Sequence, residues 1–445
     1  MRKTLLILHT VIFLYGNPEI EWFVQHNGSS EESHGHYIMT CEDGGYLQIG
    51  ESNFLPNSKI YIVKTSANGQ MIWNREINIG GHNLGNSAIE LEDGYLIIGA
   101  LNRNSALIKL DKQTGSTIFS ETFNNGGTDA FEHAVVTPNG IVAVGYVNAQ
   151  DSNNTFYTEG QGYIMFLDEN ANEISSINLN SYISQAYRIQ YVNNELIISG
   201  LSEEAFDFKL IKMSLDGDVL WHQSYGGNNY DHCFGMDIGS DGSIFLAGHT
   251  LSGTQNWDTY TIKLDNDGNI IWEQKVGNPR GFNPQYIHDE AWGIKATNDG
   301  GCVTIAGTGD EYNYSECNGN DCSDTWKAYL IKFSSSGLID WQSTFGSLDV
   351  FNFAYDWAGE DIDLTSDGGA IIAIDSGQFG FLKINNIQNN LIAGDINNDS
   401  SVNVQDVVLV INLVLSNDYN NLADLNFDDV IDVLDVVLII NIILS

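Results

Sequence analysis

Short apolar runs that alternate with polar residues fill most of this chain, and Asp-Gly-like turns join them in pairs. In a clear example, the run Tyr-Leu-Ile-Ile-Gly from Tyr95 leaves the turn at Asp93. Period-2 alternation around such a turn predicts a β-hairpin. The turn recurs at Asp43, Asp93, Asn139, Asn194, Asp241, Asp299 and Asp367. The intervals run from 46 residues (139 − 93) to 68 residues (367 − 299), and such periods of short strands are typical of propeller blades.

Each copy of the repeat contains two further apolar runs, so we predict four strands per blade. The third run is centred on a lysine, which we expect to lie on a strand face and extend to water between blades. These lysines are Lys64, Lys109, Lys212, Lys263, Lys332 and Lys383. The fourth run carries an aromatic residue four positions after a glycine, which we expect to pack between blades. These aromatic residues are Trp73, Phe119, Trp221, Trp272 and Trp341.

The seventh copy stops near Ile384 without a fourth run, and a matching run stands at the N-terminus around Trp22. We therefore predict an all-β, seven-bladed propeller in which the N-terminal strand completes the last blade and removes the open sheet edges. The array resembles the bacterial DGGY-type β-propeller repeats, through residues 40–46 (Thr-Cys-Glu-Asp-Gly-Gly-Tyr). That resemblance implies a fold and no particular activity, because propellers serve as binders, scaffolds and enzymes alike.

The C-terminal segment has a different pattern, in which two acidic loops each precede an apolar helix. Both loops read D-x-N-x-D with a carboxylate at loop position 12, and position 7 offers its backbone carbonyl. Such a set of oxygen donors suits Ca²⁺, so two calcium sites are predicted. The predicted ligands are Asp395, Asn397, Asp399, Ser401 and Asp406 in the first loop, and Asp424, Asn426, Asp428, Val430 and Asp435 in the second.

These two loop-helix units resemble a type I dockerin, a tandem EF-hand-like calcium module that forms a small α-helical domain. The resemblance rests on GDINNDSSVNVQDVVLVINLVL and ADLNFDDVIDVLDVVLIINIIL. It implies Ca²⁺ as the bound ion and a cohesin-like domain as partner. The chain departs from the family at loop position 6, where Ser400 and Asp429 replace glycine. It also departs at the positions where dockerins usually carry hydroxyl residues for cohesin contact. Those positions hold Val404-Gln405 and Val433-Leu434.

Composition narrows the possible partners. The 445 residues carry a formal net charge of −40, from 58 acidic and 18 basic side chains. Nucleic acids and anionic membranes need basic patches, so neither is expected as a partner. Beyond the N-terminus, no segment is apolar over a length that could span a bilayer.

The N-terminus begins with Arg2-Lys3 and an apolar run, which predicts a signal peptide and a secreted or cell-surface location. The predicted organisation is a signal peptide over 1–17, a propeller over 18–388, a linker over 389–394 and the dockerin-like domain over 395–445. Cys317 and Cys322 flank a short turn-rich loop that could close as a disulfide after export. The other three cysteines, Cys41, Cys233 and Cys302, fall in predicted strands and are expected to be buried thiols.

Candidate chemistry lies in the residues that precede the first strand of each copy, because these residues should gather at one mouth of the central channel. The candidates for acid–base work are His36, His133, Tyr187, Arg188, His232, His288 and Glu290. Asp231 and Glu290 could form an opposed carboxylate pair for glycoside hydrolysis. In a lyase, a tyrosine or histidine would take a proton beside a uronate carboxylate that Arg188 or calcium neutralises.

The sequence leaves three functional hypotheses open. The leading one is a secreted, non-catalytic protein whose propeller binds an extracellular glycan or protein, while the dockerin-like module docks to a cohesin-like or cell-surface partner. The alternative is a polysaccharide-degrading lyase or glycoside hydrolase with its active site at the channel mouth. In the third, the C-terminal module is a cell-surface retention or sorting tag.

Overall fold

A computed structural model describes residues 18–29, 32–53, 57–149, 160–202, 207–254, 256–278, 287–309, 325–348, 354–387, 394–396, 402–416, 420, 422–426 and 430–444. Within these ranges, seven four-stranded antiparallel sheets follow one another along the chain. The first strands of neighbouring sheets contact each other, so they are the inner strands around a central channel. The predicted seven-bladed propeller with two C-terminal helices is confirmed.

The first three blades follow the chain in order. Blade 1 contains β2 (Ser33–Thr40), β3 (Tyr46–Ser52), β4 (Lys59–Thr65) and β5 (Met71–Ile77); blade 2 contains β6 (Leu84–Leu91), β7 (Gly94–Leu101), β8 (Asn104–Leu110) and β9 (Thr117–Phe123). Blade 3 contains β10 (Thr128–Thr137), β11 (Gly140–Ala149), β12 (Gln161–Leu167) and β13 (Glu173–Asn178).

Blades 4 to 6 repeat this arrangement. Blade 4 contains β14 (Gln185–Val192), β15 (Glu195–Leu201), β16 (Phe208–Ser214) and β17 (Val219–Tyr225); blade 5 contains β18 (Asp231–Ile238), β19 (Ile244–Thr250), β20 (Asp258–Leu264) and β21 (Ile270–Val276). Blade 6 contains β22 (His288–Ala296), β23 (Cys302–Gly309), β24 (Lys327–Phe333) and β25 (Ile339–Phe345). A short hairpin, β26 (Ser347–Leu348) and β27 (Ala354–Tyr355), leads to blade 7.

Blade 7 is closed by the N-terminal strand, as predicted. Its chain-order strands are β28 (Ala358–Leu364), β29 (Ala370–Asp375) and β30 (Phe379–Ile384), and β1 (Ile20–His26) pairs antiparallel with β30. Trp22 of β1 then packs beside Gly69 of blade 1. The first and last blades are thus joined by main-chain pairing as well as by side-chain packing.

The aromatic residues of the outer strands pack between blades, which confirms the second packing prediction. Trp73 lies against Gly115 of blade 2, and Trp272 lies against Gly337 of blade 6. Both glycines have positive φ, and a Cβ added at either would lie within 2.7 Å of the indole ring. The glycine of each pair therefore makes the turn and also leaves room for the neighbouring ring.

The repeated lysines are not extended to water, and that prediction was wrong. Lys64 and Lys332 are each 1% exposed, and each ammonium group contacts the aspartate of the turn in its own blade. The corresponding pairs are Lys109 with Asp93, Lys263 with Asp241, and Lys383 with Asp367, while Lys212 pairs with Glu195. A buried ammonium needs such a partner because an unpaired buried charge is strongly destabilising. The recurring lysine and the recurring turn aspartate are therefore two halves of one interaction.

Three cysteines are buried, as expected: Cys41, Cys233 and Cys302. Burial raises the pKa of the Cys41 thiol to about 12 and that of the other two in the same direction. The predicted Cys317–Cys322 bridge lies outside the described residues.

The C-terminal segment forms helices α1 (Val404–Ser416) and α2 (Val433–Leu444). Val410 and Ile439 are fully buried between them, together with Ala423. The φ of Gly394 is +94°, and a Cβ there would approach Ile439 at 3.2 Å. No helix in the described ranges is long and apolar enough to cross a membrane.

Candidate functional site at the propeller channel

Every inner strand contains a bulge at the same place, where one residue is skipped in the pairing with the second strand. The seven skipped residues are His36, Asn86, Glu132, Tyr187, Phe234, Trp292 and Glu360. A bulge re-aims side chains and often marks a functional edge of a sheet. The chain therefore presents six kinds of side chain at seven equivalent positions around one channel.

In blades 1 to 5, a glycine of the second strand pairs with the residue just before the bulge. At Gly50, Gly99 and Gly200, an added Cβ would lie within 2.0 Å of a carbonyl oxygen of the inner strand. The same clash would occur at Gly145 and Gly248. This close backbone approach explains the glycine in the recurring Tyr-Leu-Ile-Ile-Gly pattern.

Blades 4, 5 and 6 form an aromatic half of the mouth. The ring of Phe234 lies 4.9 Å from that of Tyr187 and 4.5 Å from that of Trp292, measured between centroids. His232, His249 and Trp257 extend this group, and His232 lies 4.7 Å from Trp257. Tyr230 at its edge is 47% exposed. We call Tyr187, Tyr230, His232, Phe234, His249, Trp257 and Trp292 the aromatic arc.

The two histidines of the aromatic arc are held neutral. Burial, followed by the effect of His249, lowers the pKa of His232 to about 3. Burial likewise lowers the pKa of His249. Their ring nitrogens Nδ1 and Nε2 lie 3.2 Å apart, so protonating both would place two charges side by side. The two histidines therefore add no charge to the aromatic arc at neutral pH, although the carboxylate of Glu290 lies near enough to His249 to oppose the lowering of its pKa.

Blades 7 and 1 form a polar half that is rich in carboxylates and histidines. The Nδ1 atom of His34 lies 2.6 Å from Asp375, and His36 lies 3.7 Å from Glu51. Burial opposes the charge on His34, but the hydrogen bond with Asp375 and nearby acids raise its pKa to about 9. Burial and the neighbouring Asp375 raise the pKa of Glu360 to about 8.

Deeper in the channel, the residues that follow the bulges line a cavity of about 450 Å³. The ring of Tyr37 lies 6.1 Å from that of His133, and the Arg188 guanidinium lies 5.8 Å from the Tyr37 ring centroid. These residues come from blades 1, 3 and 4, so side chains meet across the channel. The cavity extends past the bulges toward the last residues of the inner strands, such as Tyr191.

The predicted catalytic residues are divided among separate environments. His133 and Arg188 line the cavity; Tyr187 and His232 belong to the aromatic arc; His36 lies beside Glu51 in the polar half. His288 and Glu290 form their own pair at 3.4 Å. Burial lowers the pKa of His133 to about 3 and raises that of its neighbour Glu132 to about 7, although Arg188 opposes the latter shift.

The aspartates that precede the inner strands hold loops in place. Asp231 is fully buried and accepts hydrogen bonds from the backbone N–H of Gly227 and from the hydroxyls of Thr250 and Ser252. Asp129 accepts the N–H groups of Asn125 and Asn148 in the same way. The suggested pairing of Asp231 with Glu290 for hydrolysis therefore does not match the structure, since the oxygens of Asp231 already hold its loop.

Sequence reasoning missed Tyr37, Gln190, Lys295 and Asp361, which also line the cavity. Lys295 contacts Asp363 at 3.1 Å, and Asp361 accepts the N–H of Ile38 from blade 1. Each lies one or three positions after a bulged residue. For Tyr37 and Gln190, the available signal was this spacing, counted from a bulge that a second-strand glycine marks; the bulges before Lys295 and Asp361 have no such glycine.

In the dockerin-like segment, the aspartates at loop positions 1 and 12 are buried in both loops: Asp395, Asp406, Asp424 and Asp435. Asp406 accepts the N–H groups of Ile396 and Asn403, and Asp435 accepts those of Leu425 and Asp432. The two loops thus repeat one arrangement. Buried carboxylate oxygens that backbone N–H groups orient suit a hard cation, so these residues fit Ca²⁺.

These contacts do not test the other predicted calcium ligands. Asn397, Asp399, Ser401 and Asp428 lie outside the described residues, whereas Asn426 and Val430 are within them. In the part of the chain that is described, no group of three or more His, Cys, Asp or Glu side chains is arranged to hold a metal ion.

Comparison with known proteins supports the two-part architecture. Residues 393–444 match the family model described as the dockerin type I domain. A search of curated proteins gave no match. Among solved structures, the Neurospora crassa Pan2 WD40 domain is 9% identical with a TM-score of 0.52, covering 82% of this chain and 94% of that one. The WD40 β-propeller domain of Doa1 is 10% identical with a TM-score of 0.50, covering 83% of this chain and 97% of that one.

At such low identity, the structural matches establish the fold alone. The protein is therefore a seven-bladed β-propeller followed by a small C-terminal helical module whose sequence matches a dockerin domain. More specifically, residues 393–444 match the type I dockerin domain, and dockerin domains bind calcium and cohesin partners.

Proposed function

We propose that this protein is a secreted or cell-surface binding component. Its propeller recognises an extracellular glycan or protein, and its dockerin domain attaches it to a cohesin-like or cell-surface partner. The observation that carries the binding role is the aromatic arc, where three bulged residues of adjacent blades place Tyr187, Phe234 and Trp292 in one contiguous group. Signal-peptide removal from residues 1–17 and export belong to the same proposal.

Aromatic rings suit both classes of ligand. Their apolar faces pack on the C–H faces of sugar rings and on the apolar side chains of proteins, and they lose little conformational entropy on binding. The arc also carries polar edges, because the hydroxyl of Tyr187 donates to Gln185 and the exposed Tyr230 has its own hydroxyl. His232 and His249 are buried beneath these rings and neutral, so they add no positive charge where the ligand would pack.

The docking role is supported by exposed aliphatic residues on both helices. Val404, Val408 and Ile411 are 40–68% exposed on α1, and their counterparts 29 positions later, Val433, Val437 and Ile440, are 39–66% exposed on α2. The spacing of i, i+4 and i+7 places each set on one helical face. A partner with a complementary apolar face would cover them. This surface stands where other dockerins use hydroxyl residues.

Retention experiments on the full chain test the proposed propeller function. Purified protein is incubated in calcium with insoluble acidic and neutral polysaccharides, with cell-envelope fractions and with cohesin domains. Binding to a glycan or envelope fraction that Trp292→Ala weakens would support the proposed role. Absence of binding to all three classes would overturn it.

We further propose two calcium ions per chain. Calorimetric titration of the chelator-treated full chain should give two high-affinity sites, and Asp406→Asn and Asp435→Asn should each remove one of them. Asp267→Asn, an exposed turn residue in blade 5, is the matched control and should leave both sites. A stoichiometry that neither dockerin variant changes would contradict the assignment.

Cleavage of a polysaccharide is the second candidate function, and one observation favours it. Tyr37, His133 and Arg188 meet at the cavity, while burial raises the pKa of the adjacent Glu132 to about 7, a value suited to general acid–base work. New reducing ends or unsaturated uronate absorbance, abolished by Glu132→Gln, would support this candidate. Cleavage that survives Glu132→Gln would place any activity elsewhere.

A further inference from the structure

The channel cavity contains a cation that the protein itself leaves without a carboxylate partner. Arg188 is half-buried and lines the cavity, and its guanidinium lies 5.8 Å from the Tyr37 ring centroid. Among the described residues, no carboxylate lies within ion-pair distance of it and its guanidinium makes no hydrogen bond. This is unusual in a chain with 58 acidic and 18 basic side chains, where nearly every strand lysine has an acidic partner.

Glu132 and Asp361 lie close enough to Arg188 for its charge to oppose the rise in their pKa, but neither forms an ion pair with it. The aspartates of the neighbouring inner strands already have other partners. Asp361 accepts the N–H of Ile38, and Asp237 accepts the N–H of Ala296. Asp363 accepts both the N–H and the hydroxyl of Thr40 and also contacts Lys295 at 3.1 Å. These bonds join neighbouring blades, so the carboxylates are fixed at the channel wall. They cannot turn toward Arg188 without breaking contacts between blades.

Other groups around the cavity complete a polar site with apolar walls. The side-chain amide of Gln190, two residues after Arg188, also makes no hydrogen bond among the described residues. Burial raises the pKa of Tyr37 to about 12, so its hydroxyl remains a donor at neutral pH. Met39, Ile89, Val135, Met236 and Ile294 supply the apolar surface.

We propose that this cavity binds the carboxylate of a small ligand group, with Arg188 as the main recognition residue and Gln190 and Tyr37 as additional donors. A guanidinium presents paired N–H donors that match a carboxylate, and such charge-assisted bonds are the strongest of their kind. A volume of about 450 Å³ suits a single sugar-sized or residue-sized group. The shared chemistry is a carboxylate on a compact body, supplied either by a uronic acid residue or by the C-terminus of a peptide.

This inference rests on the proposed ligand-binding function and names the chemistry of the ligand. It concerns the part of the channel lined by the later residues of the inner strands, whereas the aromatic arc lies near their first residues. The two can therefore fail independently.

The test is calorimetric titration of the full chain with four probes: galacturonic acid, its methyl ester, a dipeptide with a free C-terminal carboxylate, and the same dipeptide as an amide. We expect one of the two acids to bind and its uncharged counterpart to bind at least tenfold more weakly. Arg188→Gln should weaken the acid at least tenfold, and Arg188→Lys should be intermediate because it keeps the charge and loses the paired donors.

The matched control is Arg75→Gln. Arg75 lies on the outer strand β5 and donates to the carbonyls of Gly115 and Thr114, far from the channel-lining residues. Arg75→Gln therefore removes the same group and charge as Arg188→Gln without changing the channel. Carboxylate affinity should be unchanged in this variant. Binding of the uronate alone would assign a glycan source, and binding of the free dipeptide alone would assign a peptide source.

Three results would overturn the inference: no binding of either acid, equal binding of acid and uncharged probe, or full affinity in Arg188→Gln. Loss of polysaccharide retention with intact, Arg188-dependent carboxylate binding would instead overturn the role of the aromatic arc. Retention that depends on Trp292 without any carboxylate binding would overturn the carboxylate site and leave the role of the aromatic arc intact.

Discussion

Blades 4 to 6 and blades 7 and 1 build the same bulge at the same point of the inner strand, yet they place opposite chemistry there. The first group presents Tyr187, Phe234 and Trp292, whose rings contact one another. The second presents Glu360 and His36 among further acids and histidines. The backbone repeats and the side chains do not, which separates the residues that make the fold from those available for function.

The two halves also respond to protons in opposite directions. In the polar half, the pKa values of His34 and Glu360 are raised, to about 9 and about 8. In the aromatic arc, the pKa of His232 is lowered to about 3 and that of His249 is lowered as well. The polar half should therefore lose stability as pH rises, and the aromatic half as pH falls.

The largest expected effect is on ligand retention by the aromatic half. Trp292→Ala removes a ring that contacts both Phe234 and His249, and we expect it to weaken binding by about 2 kcal/mol or more, roughly 30-fold. Affinity electrophoresis against the retained polysaccharide measures this change. Trp292→Phe should restore most of the affinity, because it keeps an aromatic face.

Glu360→Gln serves as the control from the polar half and should leave retention within about twofold. Equal losses in Trp292→Ala and Glu360→Gln would break the proposed division of the mouth. Thermal unfolding of each variant shows whether the fold is intact.

The second effect is a loss of stability on the alkaline side. His34 contributes stability that is complete below its unfolded pKa of about 6.5 and is lost as pH rises through about 9. Glu360 favours its protonated form in the folded state, so it loses stability as pH rises from the ordinary pKa of 4.5 to its folded pKa of about 8. Between pH 7 and 9 we expect a decrease of about 1–2 kcal/mol in the free energy of unfolding.

Urea unfolding at several pH values measures this alkaline slope. Glu360→Gln imitates the protonated carboxyl and should make the slope shallower. The exposed Glu92→Gln removes one carboxyl without touching the channel and should leave it unchanged. An identical slope in wild type and Glu360→Gln would contradict the burial argument.

The smallest effect is on the acid side and belongs to the aromatic half. A histidine with a lowered folded pKa contributes stability above about 6.5, and that stability is lost as pH falls. His232 should account for about 1 kcal/mol between pH 7 and 5.5, given its pKa of about 3 in the folded state. His232→Phe, which keeps a ring beside Trp257, should flatten the acid slope in the same unfolding series.

The exposed His222→Asn is the control for a lost histidine and should retain the wild-type acid slope. If His232→Phe also retained it, His232 would not be held neutral by burial.

The repeat could be predicted from sequence because it depends on local signals. Hairpin turns such as Asp93-Gly94 and the aromatic residues four positions after a glycine recur in order, and the unmatched strand around Trp22 predicts ring closure. The calcium-loop pattern is equally local. Its buried end aspartates, such as Asp406 and Asp435, take the positions that the loop spacing indicates.

The channel could be predicted only in part, since its lining depends on a one-residue register shift. The bulge leaves His36 unpaired, so simple alternation does not show that His36 approaches Glu51 while Tyr37 lines the cavity. Contacts such as Tyr37 with Arg188 join residues far apart in sequence. The buried pairing of Lys332 with Asp299 was also missed. Strand propensity does not show which partner the ammonium group of a lysine will reach.

The central claim is that the propeller binds its extracellular ligand without cleaving it. One assay tests this most directly: the full chain is incubated in calcium with insoluble acidic and neutral polysaccharides, and retained protein, new reducing ends and unsaturated uronate absorbance are followed together. If the propeller binds without cleaving, retention depends on Trp292 and no product exceeds the protein-free control. Product that accumulates with wild type and disappears with Glu132→Gln would contradict it and establish an enzyme.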